Sequence, residues 1–178
     1  EWPPEGGVST LCAAMPLSEH AAQMKKSKAL LAAMGWSGPA MVEYRHDPRT
    51  GKYWLMEVNG RFWGSLPLAY HCGAEFAWEQ YRRAVPAVPK EKAQALRIRR
   101  ARFMIPETRR LAKILFGTTP IANFRRRRLA TLAAYLSGFF DPRMRYYVFS
   151  VSDPMPFFQD MAGAVRRIAR GGKPPQDD

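Results

Sequence analysis

From Leu17 to Met34 apolar side chains return at helical spacing, through Leu17, Ala21, Met24, Leu31 and Met34. Ser18 with Glu19 offers a start and Gly35 with Gly38 a stop, so the stretch predicts a helix with those apolar residues as its buried stripe. The period then changes. AMVEYRHD reads as a strand, DPRTG as a turn and KYWLMEVN as the returning strand, which predicts a β-hairpin over 40–59. Pairing Glu43 with Glu57 sets Asp47 against Tyr53 and leaves Pro48 to Lys52 as the loop. On that register Leu55, Glu57 and Asn59 share one face, and Trp54, Met56 and Val58 take the other.

Beyond the hairpin, SLPLAYHCG predicts a short helix with Ser65 at its N-cap, Pro67 in its first turn and Gly73 at its end. AEFAWEQYRRAV predicts a second helix. ALRIRRARFMI alternates like a strand, PETRRLAKILFG and NFRRRRLATLAAYLSGFF read as helices, and RYYVFSV as a strand. In the last helix Asp153 caps, Pro154 sits in the first turn, and Phe158, Met161, Val165 and Ile168 form the expected buried stripe. The fold class is α+β: an antiparallel sheet flanked by helices, followed by a basic, mostly helical appendage.

Composition narrows this picture. Apolar residues make up 47% and charged residues 24% of the 178 positions, which suits a globular chain rather than a disordered one. No apolar run is long enough to span a bilayer. Cys12 and Cys72 stand in apolar contexts without metal-ligand spacing, so they read as free thiols of a cytoplasmic protein. The chain opens on Glu rather than Met, without a secretory segment, and a truncated chain is the expectation. The net charge of +13 is uneven: residues 1–90 carry 10 Lys/Arg against 8 Asp/Glu, and residues 91–178 carry 18 against 7. That asymmetry, with Pro86 and Pro89 between the halves, divides the chain into 1–90 and a basic α/β extension over 91–178.

The candidate chemistry lies in the hairpin. Two carboxylates facing each other across a ladder repel unless a cation sits between them. Glu43, Glu57 and the carboxamide of Asn59 offer three hard oxygen donors, a set that suits Mg²⁺ with substrate phosphates completing its shell. Arg61 follows just past the strand and could grip a phosphoryl group through its forked donors. Met56 beside Val58 makes an apolar strip fit to lie under a purine.

VEYRHDPRTGKYWLMEVNGRFWGSLPLAYHCGAEF resembles the C-terminal lobe of ATP-grasp enzymes, and within them the carboxylate–amine ligase-like branch. The resemblance extends upstream through PPEGGVST and the helix ending LLAAMGWSG, covering roughly residues 3–85. It implies that Glu43, Glu57 and Asn59 ligate the Mg²⁺ (or Mn²⁺) that accompanies ATP. It implies further that Met56 packs on the adenine, that Arg61 binds the transferring phosphoryl group and the acyl-phosphate, and that Ser65 contacts substrate. The implied reaction is ATP-dependent joining of a carboxylate to an amine, both small molecules. Such a site closes between two lobes, and the first lobe is missing from this chain, so the isolated chain is expected to bind ATP poorly and to be inactive alone.

Other features read more plainly. Lys25, Lys26 and Lys28 suit a solvated helix face, Gly6 and Gly7 a simple turn, and His20, His46 and His71 have no metal-ligand spacing. Arg45 shares a face with Glu43 and could compete for it. Arg125–Arg128, ahead of an apolar helix, read first as a helix start whose arginines point in different directions while the apolar part packs on the core, and second as a contact with an anionic membrane surface. Nucleic acid fits them less well, because no aromatic residues are interleaved as stacking platforms. The alternative to a ligase is therefore a non-catalytic module that binds through its basic half.

Overall fold

The computed structural model describes residues 9–85, 95–116 and 128–169. In chain order the elements are β1 (Leu11–Ala13), α1 (Ala21–Ala33), β2 (Met41–Asp47), β3 (Lys52–Asn59), α2 (Leu66–His71) and α3 (Phe76–Ala84). They continue with β4 (Arg100–Arg102), α4 (Met104–Phe116), α5 (Arg128–Ser137), a single 3₁₀ turn at Gly138–Phe140, β5 (Met144–Tyr146) and α6 (Met155–Ala169). The fold is thus mixed α and β with small sheets. Two compact units are present, Ala14–Ile98 and the pairing of Glu1–Ala13 with Arg99–Asp178. The boundary expected near residue 90 falls in 86–94, outside the described residues; the two compact units divide at 98, with residues 9–13 in the second.

In the first unit β2 and β3 form an antiparallel hairpin. Its turn is built from Asp47: the side chain accepts from the Arg49 amide at 2.9 Å and from the Thr50 hydroxyl at 3.2 Å, while its carbonyl accepts from the Gly51 amide at 2.8 Å. Gly51 takes φ +67°, the left-handed region that a side chain disfavours. Helix α1 lies on one face, with Ser27 Oγ donating to the Tyr44 hydroxyl at 3.2 Å and His20 bonded to the Tyr53 hydroxyl. The apolar stripe expected of α1 is not its packed side. Leu17, Ala21, Met24 and Met34 are exposed, and the half-buried positions are Gln23, Ser27, Leu30 and Leu31, because the polar hydroxyl contacts set which face meets the sheet. Trp36, after the helix, lays its ring against Gly60, where a Cβ would come within 2.5 Å of an indole carbon.

The second unit is organised by a three-stranded sheet in the order β1-β4-β5. β1 and β4 run antiparallel and β5 joins β4 in parallel, so this sheet is mixed rather than antiparallel throughout. The strand expected over 95–105 is regular only at Arg100–Arg102, where both neighbours are available to pair. The core holds Ala101, Leu111, Ile114 and Met144 together with the ion pair Arg102–Glu107. Arg102 also donates two N–H groups to the Tyr135 carbonyl at 3.2 Å, near the C-terminal end of α5. Carbonyls of the last helical turn have no intrahelical partner, and α5 carries no basic residue there, so a strand residue caps it. On α6 two residues of the expected stripe, Phe158 and Met161, are exposed and Phe157 packs edge-on to Phe149 at 5.5 Å between ring centres, while the side chains of Val165 and Ile168 lie outside the described residues.

Candidate functional site

The hairpin brings the predicted residues together, through a register that differs from period-two counting. Glu43 stands opposite Glu57 and Met41 opposite Asn59, but Tyr44 pairs with Leu55, Arg45 with Trp54 and Asp47 with Lys52. Met56 is the extra residue, a bulge that shortens the loop to Pro48–Gly51 instead of Pro48–Lys52. The faces change accordingly. Glu43, Glu57, Asn59, Arg45 and Trp54 share one side; Leu55 lies with Tyr44, Tyr53 and Val58 on the side that meets α1. The expectations that Leu55 accompanies Glu57 and that Trp54 lies on the opposite face are corrected by this shift.

Glu43 and Glu57 are exposed and Asn59 is half-buried. The Asn59 amide donates to Glu57 Oε1 at 2.5 Å and keeps its own oxygen as an acceptor. Two carboxylates and a carboxamide therefore converge on one open face at the end of the hairpin. Their oxygens are hard donors of the kind that could hold Mg²⁺ or Mn²⁺. Arg61 follows in the exposed segment after β3, where one guanidinium nitrogen donates to the Phe62 carbonyl at 3.0 Å. Ser65 stands at the N-cap of α2, but its hydroxyl makes no capping bond. Trp54, Leu55 and Met56 are all exposed, a large apolar area around the bulge.

The remaining candidates fall elsewhere. Lys25, Lys26 and Lys28 are exposed on α1. Gly6, Gly7 and Arg125–Arg127 lie outside the described residues, and Arg128 opens α5. His20 and His46, which have no metal-ligand spacing in the sequence, stand 5.3 Å apart between ring centres, and His46 stacks on Tyr53 at 4.3 Å. The signal that could have joined them is the true register, which pairs His46 with Tyr53. Among the described residues no group of three or more His, Cys, Asp and Glu side chains could hold a metal by itself, and no described helix is long and apolar enough to cross a membrane. Both cysteines are free thiols, Cys72 buried and Cys12 half-buried. Comparison with protein-family models, with curated proteins and with solved structures finds no match.

Proposed function

We propose that the chain carries the metal and phosphate shelf of an ATP-grasp carboxylate–amine ligase. The observation that supports this most is the convergence of Glu43, Glu57 and Asn59 on one exposed face of the hairpin, with Arg61 in the segment that follows. Bound ATP supplies the activation, passing a phosphoryl group to a carboxylate oxygen so that an amine can displace phosphate from the acyl carbon. In this reading Glu43, Glu57 and Asn59 hold Mg²⁺, or Mn²⁺ in its place, by their oxygens. Arg61 balances the negative charge on the phosphoryl oxygens and orients them by its forked donors. The exposed Met56, with Trp54, provides apolar surface for the adenine, and the Ser65 hydroxyl, unused as a cap, is a substrate contact. Alignment and charge neutralisation do most of the work in such transfers, so no nucleophilic side chain is required.

The test is Mg²⁺-dependent ATP binding by calorimetry on the full gene product, in the parent and in Glu57→Gln. Glu57 faces Glu43 across the ladder, and like charges opposite each other destabilise a hairpin by up to about 1 kcal/mol. The variant is therefore expected to fold at least as stably as the parent while losing the metal-dependent binding. Normal ATP turnover by the doubly changed protein, Glu57→Gln with Asn59→Ala, would overturn the reading.

A further inference from the structure

Three rings from three elements of the first unit meet beside the start of α1: His20 from its N-cap, His46 from β2 and Tyr53 from β3. Tyr53 stands opposite His46 in the ladder and touches both histidines. Its hydroxyl is bonded to His20 Nδ1, and its ring stacks on His46 at 4.3 Å between centres with 19° between planes. The two imidazoles are 5.3 Å apart, at 77° to each other. We propose that His20 and His46 form a site for a borderline transition-metal ion such as Zn²⁺, held by one ring nitrogen from each, with water completing the shell.

The separation of the rings is the first argument. With zinc–nitrogen bonds of about 2.0–2.1 Å, each ring centre lies about 3.2 Å from the ion, and two rings at a tetrahedral angle stand about 5 Å apart. The observed 5.3 Å meets that distance without displacement of α1 or the hairpin. The nitrogens are the second argument. Among the described residues His46 makes no hydrogen bond, and His20 uses only Nδ1. When Nδ1–H donates to the Tyr53 oxygen, the lone pair of His20 falls on Nε2, the pattern by which a second residue orients a metal-bound imidazole. His46 is exposed and His20 half-buried, so an ion arriving from solvent reaches both.

Local structure is spent on this arrangement. The N-cap of a helix favours Ser, Thr, Asp or Asn, whose oxygens satisfy the first amides, yet His20 stands there and makes no capping bond. Its ring is turned to the hairpin instead. Fastening α1 to β3 needs only His20 and Tyr53, whereas the stack fixes a second imidazole that the fastening does not use. The pair is separate from the carboxylate shelf, because His46 and Tyr53 lie on the side of the hairpin that meets α1, away from Glu43 and Glu57. The two sets also select different ions: imidazole suits Zn²⁺, Cu²⁺ and Ni²⁺, and carboxylate with carboxamide suits Mg²⁺ and Mn²⁺. Zn²⁺ is the probe of choice, since it has no redox chemistry to turn on Cys12 and Cys72.

The experiment adds Zn²⁺ to the whole chain, free of any affinity tag, and follows the ring signals of its three histidines by NMR and the affinity by calorimetry. The His20 and His46 signals are expected to move together and saturate at one ion per chain, with those of His71 unmoved. His46→Gln removes a ring that makes no hydrogen bond, so it should fold as the parent does and bind at least about tenfold more weakly. His20→Gln should weaken binding by at least as much. Tyr53→Phe keeps the stack but removes the oxygen that fixes the His20 tautomer; it should cost about tenfold in affinity and leave the zinc-free His20 ring as a mixture of tautomers. Excess Mg²⁺ and the Glu57→Gln change should leave the Zn²⁺ affinity unaltered, so failure here and failure of the ligase reading are separate results. Absence of saturable binding would overturn the proposal. So would the parent's affinity in both histidine variants, since the ion would then sit on carboxylates or thiols. A ratio of one ion to two chains would overturn it as well, because the ion would then join copies.

Discussion

A guanidinium taken out of water costs several kcal/mol unless its charge and its N–H groups are met. Arg102, 1% exposed, is met from three sides: by Glu107, by the Tyr135 carbonyl, and by the Tyr135 and Phe139 rings 4.5 and 4.8 Å from its central carbon. Burial by itself would lower the Arg102 pKa, but the bond to Glu107 and the negative charge it carries, with Tyr135 and Tyr146 adding to it, raise the value instead. Arg102 therefore stays a cation. Glu107→Ala should destabilise the protein by about 3–5 kcal/mol, because it leaves the cation buried without its counter-charge. The double change Arg102→Met with Glu107→Leu should be milder than that single one, since it leaves no orphan charge. It still removes both donors from the Tyr135 carbonyl, a loss of about 1 kcal/mol. Urea unfolding of the three proteins measures this, and a Glu107→Ala protein as stable as the parent would remove the pair from the core's energetics. Nothing in the spacing of RIRRARFMIPE marks this pair, because a contact from strand to helix across five residues follows neither period.

At the scale of the element, the hairpin was the most legible part of the sequence, and its bulge the least. Alternation located β2 and β3 within a residue, and DPRTG located the turn. The one-residue shift at Met56 leaves no trace in composition, because Trp54, Leu55 and Met56 are all large and apolar and any of them could have been the extra residue. The shift also decides which side chains share the face of Glu57, so the candidate donors were readable while their apolar neighbours were not. The helix faces failed for a related reason: α1 turns Ser27 toward the Tyr44 hydroxyl of the sheet and leaves Met24 and Met34 in solvent. The turn can be tested directly. Gly51 has φ +67°, and a Cβ added there would meet nothing within 4 Å, so Gly51→Ala brings conformational strain and no clash. The expected loss is about 1 kcal/mol, the cost of a left-handed backbone at a residue with a side chain. Gly64→Ala serves as the comparison, since Gly64 is not among the glycines with positive φ. Equal unfolding midpoints for the two variants would show that the turn does not depend on that conformation.

At the scale of the whole molecule, the second unit is closed by pairing between distant parts of the chain, which no periodicity could reveal. β1 pairs with β4 from Leu11–Arg102 to Ala13–Arg100, and the Phe103 amide donates to the Thr10 carbonyl at 2.9 Å. The Tyr147 hydroxyl donates to Cys12 Sγ at 3.2 Å, joining residues 135 positions apart. Burial of that phenol raises its pKa well above the usual tyrosine value, and the bond to Cys12 raises it further. The sign follows from which state keeps its proton. An unfolded tyrosine ionises near pH 10, while the folded one stays neutral to a higher pH. Stability from Tyr147 is therefore fully present below about pH 10 and is lost as pH rises toward and through the folded value. Over about pH 9.5–11.5 the parent should lose stability more steeply than Tyr147→Phe, by up to about 1 kcal/mol per pH unit. The difference between the two curves is the quantity to measure. Cys12→Ala should bring the parent's curve part of the way toward that of Tyr147→Phe, since the sulfur is the second cause after burial. If the parent and Tyr147→Phe curves run parallel across the range, the closure of the unit does not bury this phenol. If they diverge as expected, the first residues of the sheet and the last strand form one cooperative structure.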